Sequence, residues 1–502
     1  MMKLIFVLAL VALSWHLTQS VPGGAQIRVT SKGLQYGASI GMKVLKRELN
    51  KVKIPNLGDK KDIVLGYLHW AARGLHIKNV HIPKYILRPV SGGKLRASVS
   101  GVTVGAGGHI SGGVTPKGVT VCVPFPCGWK ICNHCHTVRP PGIGIGTGVN
   151  INARSNSFSI EFTVGVNKGK PTIRAGNCHA RAPSIGVSMT NGLLDVIYKA
   201  IAPVLMNLVR PIIEKSICGV AVAAINGGLN SFFSFFPTSL PIDRHTLINY
   251  ALRQVSGTNN YFDMILRGEF QSLRNPKPSN LPMTLFPPSS SSHKMVYVWV
   301  SDFTLNTFGK VYHDAGLFNI VFDKTVPDIL KPIQVLMNTN TLAPFFPNLT
   351  QSYPDRPMEF RLSAEKAPTF HFQPGSASAN LHAAAFFDVI KEDGTKLPAF
   401  WIKVKVDASG KVSLSKGATK LHAEIIGVKF TAEVGGYTLG KFNLPLDGPE
   451  VKGIVDGLVG FANPALKKGL PLPRLPGIRL KNEKLSFVKN AARVEADVEV
   501  AF

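Results

Sequence analysis

The sequence predicts an α+β protein of two domains, each with a helix early, strands in the middle and a helix late. Three observations carry that reading. At 502 residues the chain exceeds what one ordinary hydrophobic core supports. Its 45% hydrophobic and 17% charged residues are globular proportions. The helix–strands–helix order also occurs twice, once in each half, without any repeated wording.

Taken in order, Lys3 precedes an apolar run from Leu4 to Leu13 and then Thr18-Gln19-Ser20, the form of a secretory signal peptide over residues 1–20. Secretion permits disulfides among the six cysteines, and Asn348-Leu349-Thr350 is a sequon that offers Asn348 for glycosylation. From Arg28 to Lys61, apolar Leu34, Ala38, Met42, Leu45, Leu49 and Val52 recur every three or four residues. That spacing predicts an amphipathic helix running into a basic extended segment that ends at Pro55. The stretch holds nine Lys and Arg against Glu48 and Asp59.

Strands are expected over Tyr67–Ile86, Leu95–Thr103 and Val149–Val166, where β-branched residues alternate with polar ones between glycine breaks. Glycine and cysteine density rises from Val104 to Gly148, which reads as a long hairpin with an enlarged tip. Asn191 to Phe236 is a long helical region that Asn191 and Gly192 can start and Pro237 closes. It is apolar almost all round, so we expect it inside a sheet rather than on a surface. Its Arg210, Glu214, Lys215, Pro203 and Pro211 argue against a membrane span. The second half reads as strands at Tyr261–Phe270 and Met295–Val300 and helices at Leu305–Leu317 and Val326–Met337. Strands from Met358 to Phe442, a helix at Val451–Lys468 and two closing strands follow.

The formal net charge is +28, and residues 22–250 alone hold 27 basic and 7 acidic residues. A domain so basic attracts polyanions. Secretion turns this away from nucleic acid, and the basic stretch lacks the interleaved aromatics that stack bases. Gly37-Ala38-Ser39-Ile40-Gly41 satisfies a nucleophile-elbow string, but Ser39 sits in a helical pattern with no strand before it, so no enzyme is expected. His69, His76 and His81 have no carboxylates to pair with and read as ordinary surface or packed residues. Cys122, Cys127, Cys132 and Cys135 fall within fourteen residues. Two local disulfides are the reading secretion favours. A zinc knot using thiolates and a histidine, or a c-type haem site at Cys132-x-x-Cys135-His136, are the alternatives.

Met295–Phe318, MVYVWVSDFTLNTFGKVYHDAGLF, resembles the matching segment of the bactericidal/permeability-increasing and lipopolysaccharide-binding protein family. So do Arg28-Val29-Thr30 with Lys51-Val52-Lys53-Ile54-Pro55, Gly169-Lys170-Pro171-Thr172-Ile173, Arg267-Gly268-Glu269-Phe270, and Lys468 to Pro473. The matches are collinear over nearly the whole mature chain. The resemblance implies a boomerang of two similar barrels, each a twisted antiparallel sheet wrapped around a long helix, joined by a central antiparallel sheet. It implies a signal peptide over 1–20, a cationic barrel over 21–236, a linker and central sheet over 237–265 and a second barrel over 266–502.

The resemblance further implies a disulfide between Cys178 and Cys218 and an apolar pocket for phospholipid acyl chains in each barrel. It also implies lipopolysaccharide binding at Lys43, Lys46, Arg47, Lys51, Lys53, Lys60 and Lys61, with Trp129 and Lys130 on a hairpin tip that is lipid-facing in the family and rebuilt here. The expected protein is a secreted monomer of innate defence that binds lipid A and anionic bacterial membranes, neutralises endotoxin and damages Gram-negative membranes. No metal or cofactor is expected. The alternatives are an extracellular lipid carrier of the same family and a matrix or egg-fluid structural protein.

Overall fold

The structure is a computed structural model that describes residues 21–127, 130–190, 195–234, 237–322, 337–439, 445–446, 448–471 and 478–500. The leader at 1–20, Trp129, the helix start at Asn191 and Gly192, and all but the last residue of the expected helix Val326–Met337 lie outside the described residues. The chain divides into two compact units. One comprises residues 34–165 and 172–235, and the other residues 1–33, 166–171 and 236–502.

The first unit is built on strands β2 (Leu57–Ile63), β3 (Gly66–His81), β4 (Lys84–Val90), β5 (Lys94–Thr115), β8 (Ile143–Asn167), β9 (Lys170–Arg181) and β10 (Ser184–Met189). They pair antiparallel in the order β10-β8-β5-β3-β2, with β4 on β5 and β9 on β8. The glycine-rich stretch read as the hairpin's approach is itself strand, so β5 and β8 run farther than Thr103 and Val149 suggested. Beyond them β6 (Val119–Cys127) and β7 (Lys130–Val138) form a separate two-stranded ribbon.

Helix α2 (Asp195–Ala223) passes through a π-helical turn, Ala224–Leu229, into Asn230–Ser234. It touches both β10 and β2, the two ends of the sheet path, so the sheet curls around it. Its buried stripe is Ile197, Ile201, Leu205, Val209, Ile213 and Ile217, one residue in four. Each four-residue step turns about 40° beyond a full turn, so the stripe winds around the helix as a twisted sheet requires. The helix lies inside a sheet as expected, but one side of it stays exposed. Leu208 is 37% exposed, and Pro203, Asn207, Arg210 and Lys215 face outward. Apolar content counted without angle had hidden that polar side.

Cys178 of β9 is bonded to Cys218 of α2, closing a separation of 40 residues. A loop of that size is worth about 3–4 kcal/mol in the chain-entropy view. Asn230 clamps the same strand. Its Oδ1 accepts from the Ile173 N–H at 2.7 Å and its Nδ2 donates to the Ile173 carbonyl at 2.6 Å.

The second unit contains a six-stranded antiparallel sheet of β1 (Ala25–Thr30), β13 (Leu252–Gly257), β14 (Tyr261–Leu266), β16 (Val296–Ser301), β24 (Ile478–Val488) and β25 (Ala491–Val500). The segment 237–265 supplies only β13 and β14 in that sheet; β1 comes from the start of the chain, β24 and β25 from its end, and β16 from mid-chain. β11 (Ser239–Pro241), β12 (Thr246–Asn249) and β15 (Glu269–Ser272) form a small sheet on which α3 (Asp302–Asp314) packs.

A third sheet runs β17 (Asn319–Phe322), β18 (Met358–Ala364), β20 (Ser376–Ile390), β21 (Lys396–Leu414), β22 (Lys420–Tyr437) and β23 (Leu470–Pro471), with β19 (Thr369–Gln373) on β20. Its core is aromatic: Phe346, Phe360, Phe387 and Phe400 are buried with their rings in contact. The short helix α4 (Pro347–Ser352) carries Asn348 exposed. Helix α5 (Pro449–Lys468) lies on β22, where Asn463 accepts from the Ile425 N–H at 2.8 Å and donates to its carbonyl at 3.1 Å. The Asn230–Ile173 clamp thus has a counterpart in the second unit, a repeat of geometry without a repeat of sequence. Among the described residues no helix is long and apolar enough to cross a membrane.

Ion pairs at Asp263 and Asp497 help hold the six-stranded sheet. Arg28, the first cation of the basic stretch, lies in β1 and is 4% exposed. Its Nε and second guanidinium nitrogen donate to the two Asp263 carboxylate oxygens at 2.8 and 2.9 Å, and the ring of Tyr261 lies 3.4 Å from the guanidinium carbon. The other pair centres on Asp497. Burial by itself would raise its carboxyl, but donors on Lys32, Lys294 and Asn482 prevail and bring it from 3.8 to about 2. A carboxyl depressed in the folded state stabilises above its unfolded value and loses that contribution as pH falls through the folded value. We expect a contribution on the order of 2 kcal/mol, complete above about pH 4 and lost toward about pH 2. Asp497→Asn should flatten the acid limb of a denaturation-versus-pH series, and parallel curves for variant and parent would refute the assignment.

Candidate functional site

Helix α1 (Ser31–Leu49) buries Leu34, Ala38, Leu45 and Leu49, close to the spacing read from sequence, with Met42 half-buried. Packing that face turns Lys43, Lys46 and Arg47 outward on its last two turns. Cations there also suit the negative end of the helix dipole. The chain then leaves through Lys51 and Lys53, both exposed, and Lys53 bridges to His76 on β3.

These five cations are not equivalent. Lys51 Nζ lies 2.9 Å and Arg47 Nε 3.3 Å from Glu48 Oε1, and the two hold the Glu48 carboxyl below its usual range. Lys43, Lys46 and Lys53 have no acidic partner among the described residues. Lys60 and Lys61 lie on edge strand β2, where Lys60 pairs with His69. Along β3, His69 and His76 are seven residues apart, so Lys60 sits roughly 20 Å from Lys53. Lys130 is at the far end of the β6–β7 ribbon, next to Trp129, which lies outside the described residues. The residues read as one basic site therefore form a helix-end cluster, an edge-strand pair and a ribbon-tip lysine.

The ribbon is stapled twice, Cys122 to Cys135 and Cys127 to Cys132. All four sulfurs are thereby used, which leaves no thiolate for a zinc knot and no thiol for haem attachment. Among the described residues no group of three or more His, Cys, Asp or Glu is placed to hold a metal ion. One ribbon face presents Val119, Val121, Val123 and Val138, each about half exposed, beside the paired rings of His134 and His136. Ser39 lies in mid-helix with its hydroxyl donating to the Tyr36 carbonyl at 2.7 Å, which is not the strand–turn–helix of a nucleophile elbow.

Residues 33–232 match the LBP / BPI / CETP family, N-terminal domain, and residues 241–500 match the LBP / BPI / CETP family, C-terminal domain. The chain belongs to this family. Bactericidal permeability-increasing protein from Sebastes schlegelii is 23% identical over 98% of this chain and 98% of its own length. Lipopolysaccharide-binding protein from Homo sapiens is 24% identical over 95% of this chain and 93% of its own. A crystal structure of lipopolysaccharide binding protein matches with a TM-score of 0.61 at 20% identity, covering 96% of this chain and 100% of that one. The LBP / BPI / CETP fold is shared, with each unit of this chain built on antiparallel sheets and long helices.

Sequence reasoning missed two features of the cationic unit. Glu48, one of two acids in the basic stretch, pairs with two of the expected ligand cations. The outer-face residues His69, Arg73 and His109 come together only through strand register. The first feature had a local signal, since Glu48 and Lys51 are three apart on a helix. The second had none.

Proposed function

We propose that the protein acts outside the cell, binding lipopolysaccharide by its lipid A phosphates and so neutralising endotoxin and disturbing Gram-negative outer membranes. The observation that carries the reading is the helix-end cluster, in which Lys43, Lys46 and Lys53 have no acid to satisfy them among the described residues. The surrounding unit reinforces it, with 22 basic and 6 acidic residues in 34–165 and 172–235, a balance of +16. The name of the relative from Homo sapiens, lipopolysaccharide-binding protein, supports the same ligand, and that of the relative from Sebastes schlegelii, bactericidal permeability-increasing protein, supports an action on bacteria. Each cation near an anionic lipid surface is worth about 1 kcal/mol, and salt screens it. The acyl chains would meet the apolar inner face between the curled sheet and α2. The apolar leader, the sequon at Asn348 and three disulfides support an extracellular site of action.

The test is a titration of the full chain with lipopolysaccharide at about 20 mM and about 500 mM salt, where the screening length differs severalfold. Tight binding at low salt that weakens at least tenfold at high salt is the expected result. An absence of binding at low salt would remove the proposal. Leakage from anionic but not zwitterionic vesicles is expected if membranes are damaged, and equal leakage from both would count against that step.

A further inference from the structure

The outer face of the first unit's sheet carries a groove that the lysine cluster does not use. Register places the outward residues in rows across the strands. Lys60, His69 and Gly113 form one row, from β2 to β5. Gly58, Ala71, Ser111 and Gly146 form the next, from β2 to β8, and Arg73 and His109 pair in the third. The middle row has almost no side chain, whereas the flanking rows have imidazole and cationic groups. The result is a groove of about 660 Å³ lined by Lys60, His69, Ala71, Arg73 and Ser111.

Glycines set its shape. The His69 ring lies over Gly113, with Cε1 3.2 Å from where a Cβ would stand. The His109 ring leans toward Gly146, with Nε2 4.0 Å from the corresponding point, and closes the β8 end. Asp59 also borders the groove, with its carboxylate accepting from the Lys60 N–H at 2.8 Å.

We propose that this groove binds a phosphorylated sugar, and specifically one from the saccharide core that lipopolysaccharide carries beside lipid A; the choice of source rests on the function proposed above. Position 69 to position 73 spans about 13 Å along the strand, and β2 to β5 about 10 Å across it, room for one or two sugar rings. A floor of glycine, alanine and serine gives an acyl chain no apolar side chain to grip. It does leave the Ser111 hydroxyl for a sugar hydroxyl, and Arg73 and Lys60 at opposite walls for phosphate. The groove runs from roughly 10 Å from Lys53, at Arg73, to roughly 20 Å, at Lys60, so lipid A phosphates at the helix end and core phosphates in the groove are neighbouring sites for one ligand.

The experiment is isothermal titration of the full chain with delipidated, phosphorylated core oligosaccharide and with the same oligosaccharide after dephosphorylation. The phosphorylated probe should bind, and dephosphorylation or Arg73→Gln should each weaken it about tenfold or more, the scale of a charge-assisted hydrogen bond. Ala71→Leu, which fills the floor from the solvent side, should abolish binding without changing thermal unfolding. Ser111→Leu serves the same purpose if the first variant is unstable. No binding to the parent protein, or equal binding to parent and filled variants, overturns the proposal. Lipid A vesicles run in parallel separate the two readings. Oligosaccharide binding without vesicle binding upholds the groove and sinks the lipid A function, and vesicle binding without oligosaccharide binding does the reverse.

Discussion

Arg28→Ala is expected to destabilise the second unit by about 3–5 kcal/mol, the largest effect we foresee for a single substitution. The side chains of Arg28 and Asp263 are 4% and 9% exposed, so truncating the arginine leaves a carboxylate buried without its partner. The guanidinium also donates to the Ser289 carbonyl at 2.5 Å and lies over Tyr261, contacts that vanish with it. Replacing both partners at once, Arg28→Met with Asp263→Leu, should recover much of the loss, because neither charge is then left in the sheet. Chemical denaturation followed by circular dichroism measures all three variants. A loss below about 1 kcal/mol for Arg28→Ala, the scale of an exposed pair, would mean that water reaches the site.

The triple variant Lys43→Gln, Lys46→Gln, Lys53→Gln should bind lipopolysaccharide about a hundredfold more weakly, three contributions of about 1 kcal/mol each. Its salt dependence should flatten together with its affinity. Glu48→Gln should act in the opposite sense. It removes an acid from the cluster and frees Lys51 and Arg47, so affinity rises about fivefold, one further contribution of about 1 kcal/mol. Titration calorimetry of these two variants against the parent separates a phosphate-gripping cluster from a merely solvated helix face. Unchanged affinity in both would place the lipid site elsewhere.

The amphipathic spacing of α1 could be read because its information is local. Leu45 and Leu49 face the core in any context that buries that side, and the lysines then face outward. The ribbon's staples were equally local, with separations of 13 and 5 residues. The side of α2 that is buried was harder. The series Ile197, Ile201, Val204, Leu208 looks as good in a list as Ile197, Ile201, Leu205, Val209, and only the path of the curled sheet picks the second.

Arg28 marks the limit most sharply. In sequence it is one of nine cations in a basic stretch, and nothing nearby distinguishes it from Lys32. Its partners Asp263 and Ser289 lie 235 and 261 residues away, so burial of this cation is a consequence of which strands meet in the six-stranded sheet. The groove is a stricter case. Gly58, Ala71, Ser111 and Gly146 become a floor only because four strands pair in one register, and a slip of one residue would turn each to the opposite face. The sequence by itself determined the amphipathic helix, its cationic side and the clustering of four cysteines, since those depend on neighbours a few residues away. The tertiary structure alone decided which charges are buried, which are paired and which line a groove, because those depend on contacts between segments that the chain holds far apart.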